Sequence, residues 1–104
     1  MTTNDDIRAK TDHPVEVHDI LQIAGETITQ RGVMYDSTSK QQERSMGKVV
    51  AMFNALTGHE LTNEQGWKFM CLLKLARSEQ GEFSLDSFID LAAYAALAGE
   101  EAAK

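Results

Sequence analysis

Apolar residues recur along this chain at intervals of three and four, in four runs separated by glycines and small polar residues. Val17, Ile20, Leu21, Ala24 and Ile28 make the first run, and Met46, Val49, Val50, Phe53 and Leu56 the second. Trp67, Phe69, Met70, Cys71, Leu72, Leu73, Leu75 and Ala76 make the third, and Phe88, Leu91, Ala92, Ala95 and Leu97 the fourth. Such spacing places each run on one face of a helix, and no segment alternates with the period of two that a strand requires. The punctuation agrees. Pro14 suits a first helical turn, where its missing N–H would have had no partner, and Gly32 and Gly58 can take left-handed stops. Asp36, Ser37 and Ser39 can cap the second helix. Thr62 followed by Gln65 reads as a capping box, Gly81 stops the third helix and Ser84 caps the fourth. The pattern predicts helices over about 14–31, 39–57, 63–79 and 85–99, in an all-α, four-helix bundle-like domain spanning 13–104. Residues 1–12 are polar and aperiodic and read as a flexible arm, and the tail "GEEAAK" is expected to fray.

The third run has almost no polar face, so its helix is expected to be the most buried, at the bundle centre. A bundle of four short helices built around it struggles to cover every apolar face, which predicts a two-fold homodimer. A chain of 104 residues with 42% hydrophobic and 25% charged residues fits one globular domain. Its net charge of −6 argues against long nucleic acid as a partner, because phosphates need a basic footprint. A mononucleotide is not excluded, since local chemistry suffices to hold a few phosphates. Cys71 is the one cysteine, which rules out an internal disulfide; within "WKFMCLLKLA" it reads as a buried, inert thiol. "MTTNDDIRAK" has no signal-peptide core and no apolar run reaches membrane-spanning length, so a cytoplasmic protein without a membrane partner is expected.

Chemistry is carried by the polar exceptions. Asp86 and Asp90 lie one turn apart at the start of an apolar helix, where like charges repel by roughly 0.2–0.5 kcal/mol and a carboxylate beside an apolar face needs compensation. Lys74 and Arg77 share one face near the end of the preceding helix. Antiparallel packing across "SEQGEF" would set these cations against the two aspartates, as a network that fixes helix register. A sharper reading adds Glu43: Glu43, Asp86 and Asp90 are the candidate ligands of Mg²⁺, which takes carboxylate oxygens and holds substrate phosphates. Lys74 and Arg77 would then contact phosphate. His13, His18 and His59 lack the spacing of a zinc site. Met46, Met52 and Met70 read as core gap fillers, Trp67 as a core or subunit-contact anchor, and Tyr94 as a ring with a polar tip near Asp90.

"RGVMYDSTSKQQERSMGKVVAMFNALTGHELTNEQGWKFMCLLKLAR" followed by "DSFIDLAAYAALAGE" resembles a group of small all-α proteins of bacteriophage and bacterial genomes, distantly related to the MazG-like nucleotide pyrophosphohydrolases. "LLKLAR" and "DSFIDLAAYAALAGE" are the most specific portions. The resemblance implies a MazG-like dimeric fold and Mg²⁺-dependent hydrolysis of nucleoside triphosphates between the α and β phosphates. Those enzymes carry Glu-x-x-Glu and Glu-x-x-Asp on their helices. Glu43 stands for one residue of the first motif, with Lys40 and Met46 where its partner would be; Asp90 stands for the final Asp, with Asp86 four residues before it instead of three. The incomplete motifs leave a second function class open, a phage-encoded, non-enzymatic binding protein that acts on a host protein in the host cytoplasm.

Overall fold

A computed structural model of the chain describes residues 14–35 and 45–104. Among them the polypeptide forms four helices and no strand: α1 (Val17–Tyr35), α2 (Ser45–Thr57), α3 (Asn63–Ser78) and α4 (Leu85–Ala102). The arm expected over 1–12, the connector with Asp36, Ser37 and Ser39, and Glu43 lie outside the described residues.

The helix ends show which local signals dominate. α1 starts after Pro14, at a reciprocal cap in which the Glu16 carbonyl accepts the N–H groups of Asp19 and Ile20. The Asp19 carboxylate in turn accepts the Glu16 N–H at 2.9 Å. The first hydrogen bonds of the helix thus form around Glu16, beyond Pro14. Gly32 does not end α1, which continues to Tyr35; one glycine inside a helix costs only about 1 kcal/mol. α2 does end at Gly58, whose φ of 77° suits a residue without Cβ. Asn54 fixes the chain beyond it, its amide donating to the Leu61 carbonyl and accepting the Leu61 N–H. The capping box of α3 is complete, with Gln65 N–H to the Thr62 hydroxyl at 3.1 Å and Thr62 N–H to the Gln65 side chain at 2.9 Å. Ser84 holds the N-cap position of α4 without a side-chain cap bond. Most of the tail expected to fray is helical: α4 runs to Ala102 and its last turn is closed by the Ala103 N–H.

Packing corrects the expected centre of the bundle. α4, not α3, is the most buried helix, with eight buried residues against three in α3. One side of α4 joins α1 in a cluster of Ile23, Ala24, Leu85, Ile89 and Ala93. Its other side joins α2 and α3 in a cluster of Met46, Val50, Trp67, Tyr94, Leu97 and Ala98, and Ile28 of α1 touches both clusters. Alanines alternating with large side chains let α4 accept neighbours on two sides. Each large apolar side chain buried there contributes about 1.5–3 kcal/mol. Phe69, Leu72 and Leu75 of α3 and Met52 of α2 are exposed instead of core.

α2 seats on α3 at Gly66, where an added Cβ would collide with the Met46 sulfur and lie 3.0 Å from Val50 Cγ2. Gly25, in the middle of α1, has open space around it. In urea unfolding, Gly66→Val is therefore expected to lower stability by about 1–3 kcal/mol through overpacking. Gly25→Ala is expected to raise it by up to about 1 kcal/mol through helix propensity alone.

Candidate functional site

α3 and α4 pack antiparallel across the turn at 79–84, since partners descend along one helix as they ascend the other: Lys74 meets Asp90, and Trp67 meets Tyr94. The Lys74 ammonium lies 2.9 Å from Asp90 Oδ2, with the two side chains 7% and 1% exposed. The periodicity that buries Trp67 on the inner face of α3 brings Lys74, seven residues on, to the same face. No donor lies in hydrogen-bond alignment with Oδ2, so the contact is an ion pair set by distance and charge. A buried carboxylate ordinarily accepts two or three hydrogen bonds in addition to any counter-ion. Asp90 is thus 1% exposed, with the Lys74 ammonium against its Oδ2.

One turn further along α4, the Tyr94 ring stacks on Trp67 with centroids 5.7 Å apart and planes 22° from parallel. The Arg31 guanidinium of α1 sits 6.0 Å from the centre of the Tyr94 ring, a cation–π distance. Tyr94 is therefore a packed ring in contact with both Trp67 and a cation, and Trp67 is a core residue at 5% exposure. Arg31 opens "RGVMYD", which resembles the Arg-x-x-x-Tyr turn of the same group of small all-α proteins, but its place beside Tyr94 was not read from the sequence. Its signal was a cation three residues after Ile28, on the apolar edge of the first run.

The sequence candidates separate in space. Lys74 and Asp90 are brought together, and Asp86 is half-buried one turn before Asp90. Arg77 is exposed, outside the ion pair. Glu43 lies outside the described residues, and among those described no three His, Cys, Asp or Glu side chains converge as metal ligands. His18 and His59 are exposed, and His59 stacks on Phe53. Cys71 is a free thiol whose partial burial raises its pKa against a smaller lowering effect from a backbone hydrogen bond; that direction disfavours the thiolate. No described helix is long and apolar enough to cross a membrane.

The energetics of the ion pair follow from its burial. Removing one partner leaves a charge in a low-dielectric seam, whereas removing both exchanges a desolvated pair for apolar packing. Asp90→Asn and Lys74→Met are each expected to cost about 3–5 kcal/mol in chemical unfolding, and Lys74→Met with Asp90→Leu to cost far less than their sum.

Comparison with known proteins adds the family. No curated protein and no solved structure matches the chain. The model of one family, described as a domain of unknown function (DUF6378), matches residues 19–102, from the first turn of α1 to the last residue of α4. The chain that builds this seam belongs to the DUF6378 family.

Proposed function

We propose that this protein binds a nucleotide at the α3–α4 seam in the manner of the MazG-like pyrophosphohydrolases, with Mg²⁺ between its carboxylates and the phosphates. The observation that carries the reading is the Asp90 carboxylate, 1% exposed, ion-paired to Lys74 and lacking an aligned hydrogen-bond donor at Oδ2. Apolar side chains of similar size would pair two helices at least as well. A charged pair kept in such a seam marks a candidate site.

The donor chemistry fits the ion, because Mg²⁺ takes carboxylate oxygens and one of them, Oδ2, accepts no hydrogen bond. Glu43, Asp86 and Asp90 would hold it. When bound, Mg²⁺ would offset phosphate charge and make a water more acidic. The chain's own part is electrostatic. The Lys74 ammonium, 2.9 Å from Asp90 Oδ2, is the nearest positive charge that could transfer to a phosphate oxygen. Arg77, one turn on and exposed, reaches phosphate from the solvent side with the two-pronged geometry of a guanidinium. A non-enzymatic role toward a partner protein is the second reading, favoured by the large apolar side chains on the surface.

Titrating the purified protein with a panel of nucleoside triphosphates, with and without Mg²⁺, tests the proposal by following heat of binding and pyrophosphate release together. Mg²⁺-dependent binding that Asp90→Glu retains and Asp90→Asn loses is the expected result. Release of pyrophosphate adds catalysis to binding. Absence of both signals, in protein whose helical circular dichroism is intact, returns Asp86, Asp90, Lys74 and Arg77 to a purely structural role.

A further inference from the structure

Of the cations among the described residues, Lys48, Lys68, Arg77 and Lys104 are exposed, whereas Lys74 is buried and Arg31 half-buried. The two that leave the surface come from different helices and meet α4 on successive turns. Lys74 of α3 lies against Asp90, and Arg31 of α1 lies over the ring of Tyr94, four residues further along α4. Arg31 reaches this place from the inner face of α1. It follows Ala24 by seven residues and Thr27 by four, so at about 100° per residue it returns to within roughly 40° of each, and both are buried. The Thr27 hydroxyl donates to the Ile23 carbonyl of its own helix at 2.9 Å, which leaves Arg31 as the charged group of that face. A methionine or leucine in its place would cover the Tyr94 ring without taking a charge out of water. What a guanidinium adds is chemistry at its edge: an aromatic ring engages its face, whereas the fork of N–H donors matches carboxylate or phosphate.

Resting on the nucleotide reading of the same seam, we infer that Arg31 is a further ligand-binding residue, by which α1 grips the phosphate chain that Lys74 meets from α3. Four residues of α4 rise about 6 Å, so the two cations address the chain at two points one turn apart. Like charges held on neighbouring turns, away from bulk water, repel each other, and a polyanion lying along both offsets that repulsion. In a chain of net charge −6, this pair of inward cations is the local exception that draws an anionic ligand. α1 is then a wall of the site as well as a packing helix, and Tyr94 holds the guanidinium in place by its ring face while the edge meets phosphate.

Calorimetric titration with adenosine triphosphate and with inorganic triphosphate, each in the presence of Mg²⁺, tests the role of Arg31. Arg31→Met, which keeps an apolar stem against Tyr94, is expected to raise both dissociation constants about tenfold or more, the effect of losing one charge-assisted hydrogen bond. Lys68→Met removes the same charge from an exposed position on α3 and is expected to leave both constants unchanged. A merely structural Arg31 would lower the urea midpoint of the variant and leave the dissociation constants of its folded form alone. Adenosine triphosphate bound equally well by wild type and Arg31→Met therefore overturns the role of Arg31 and leaves the nucleotide reading standing. Inorganic triphosphate bound through Arg31, with no binding of adenosine triphosphate, does the reverse, and a wild-type protein that binds neither overturns both. Should Arg31→Met fail to fold, Arg31→Gln, neutral and able to hydrogen-bond, carries the same expectation, and unchanged constants overturn it equally.

Discussion

Placing Asp90 at 1% exposure on a helix that must also be the hydrophobic centre obliges everything near it to respect one charge. The carboxylate cannot leave the seam without dragging Ile89 and Ala93 from the α1 cluster, and Lys74 is the cation set against it there. α3 is therefore committed to one rotation about its axis, with Lys74 inward. That rotation places Trp67 against Tyr94 and turns Phe69 and Leu72 outward. Rotating α3 to hide Phe69 and Leu72 would carry the ammonium away from the carboxylate. A Coulombic interaction thus decides which apolar side chains the single chain leaves exposed.

Much of the fold was legible because its signals are local. The box of Thr62 and Gln65 needs only four residues to form, and Gly58 needs only its own φ. The α1 boundaries were misread for the same reason. Pro14 and Gly32 are strong punctuation taken alone, but the Glu16–Asp19 cap and the continuing hydrogen-bond ladder are stronger. The ranking of burial was not legible at all. Periodicity counts apolar residues on a face without saying which face meets a neighbour, so leucine-rich α3 looked more central than alanine-rich α4. Small residues turn out to mark the centre here, because only they admit helices on two sides.

The site divides along the same line. Lys74 and Asp90 could be paired from sequence because a short turn and antiparallel packing leave few registers open. Arg77 has the same residue chemistry and differs only in angle about the helix axis, a quantity that depends on where α4 lies. Arg31 comes from an element far away in sequence, and although it sits on the apolar edge of α1, its place over Tyr94 depends on the packing of α1 against α4.

The chain's one tryptophan sits in the cluster shared by α2, α3 and α4, stacked on Tyr94. The cluster between α1 and α4 contains neither tryptophan nor tyrosine. Intrinsic fluorescence is consequently an asymmetric witness: it registers solvent entering the α3–α4 seam directly, and senses α1 only through Ile28 and Arg31, which reach the Trp67–Tyr94 cluster. Local opening of the first turns of α1, before Ile28, is a matter for exchange of its amide hydrogens and not for the optical signal.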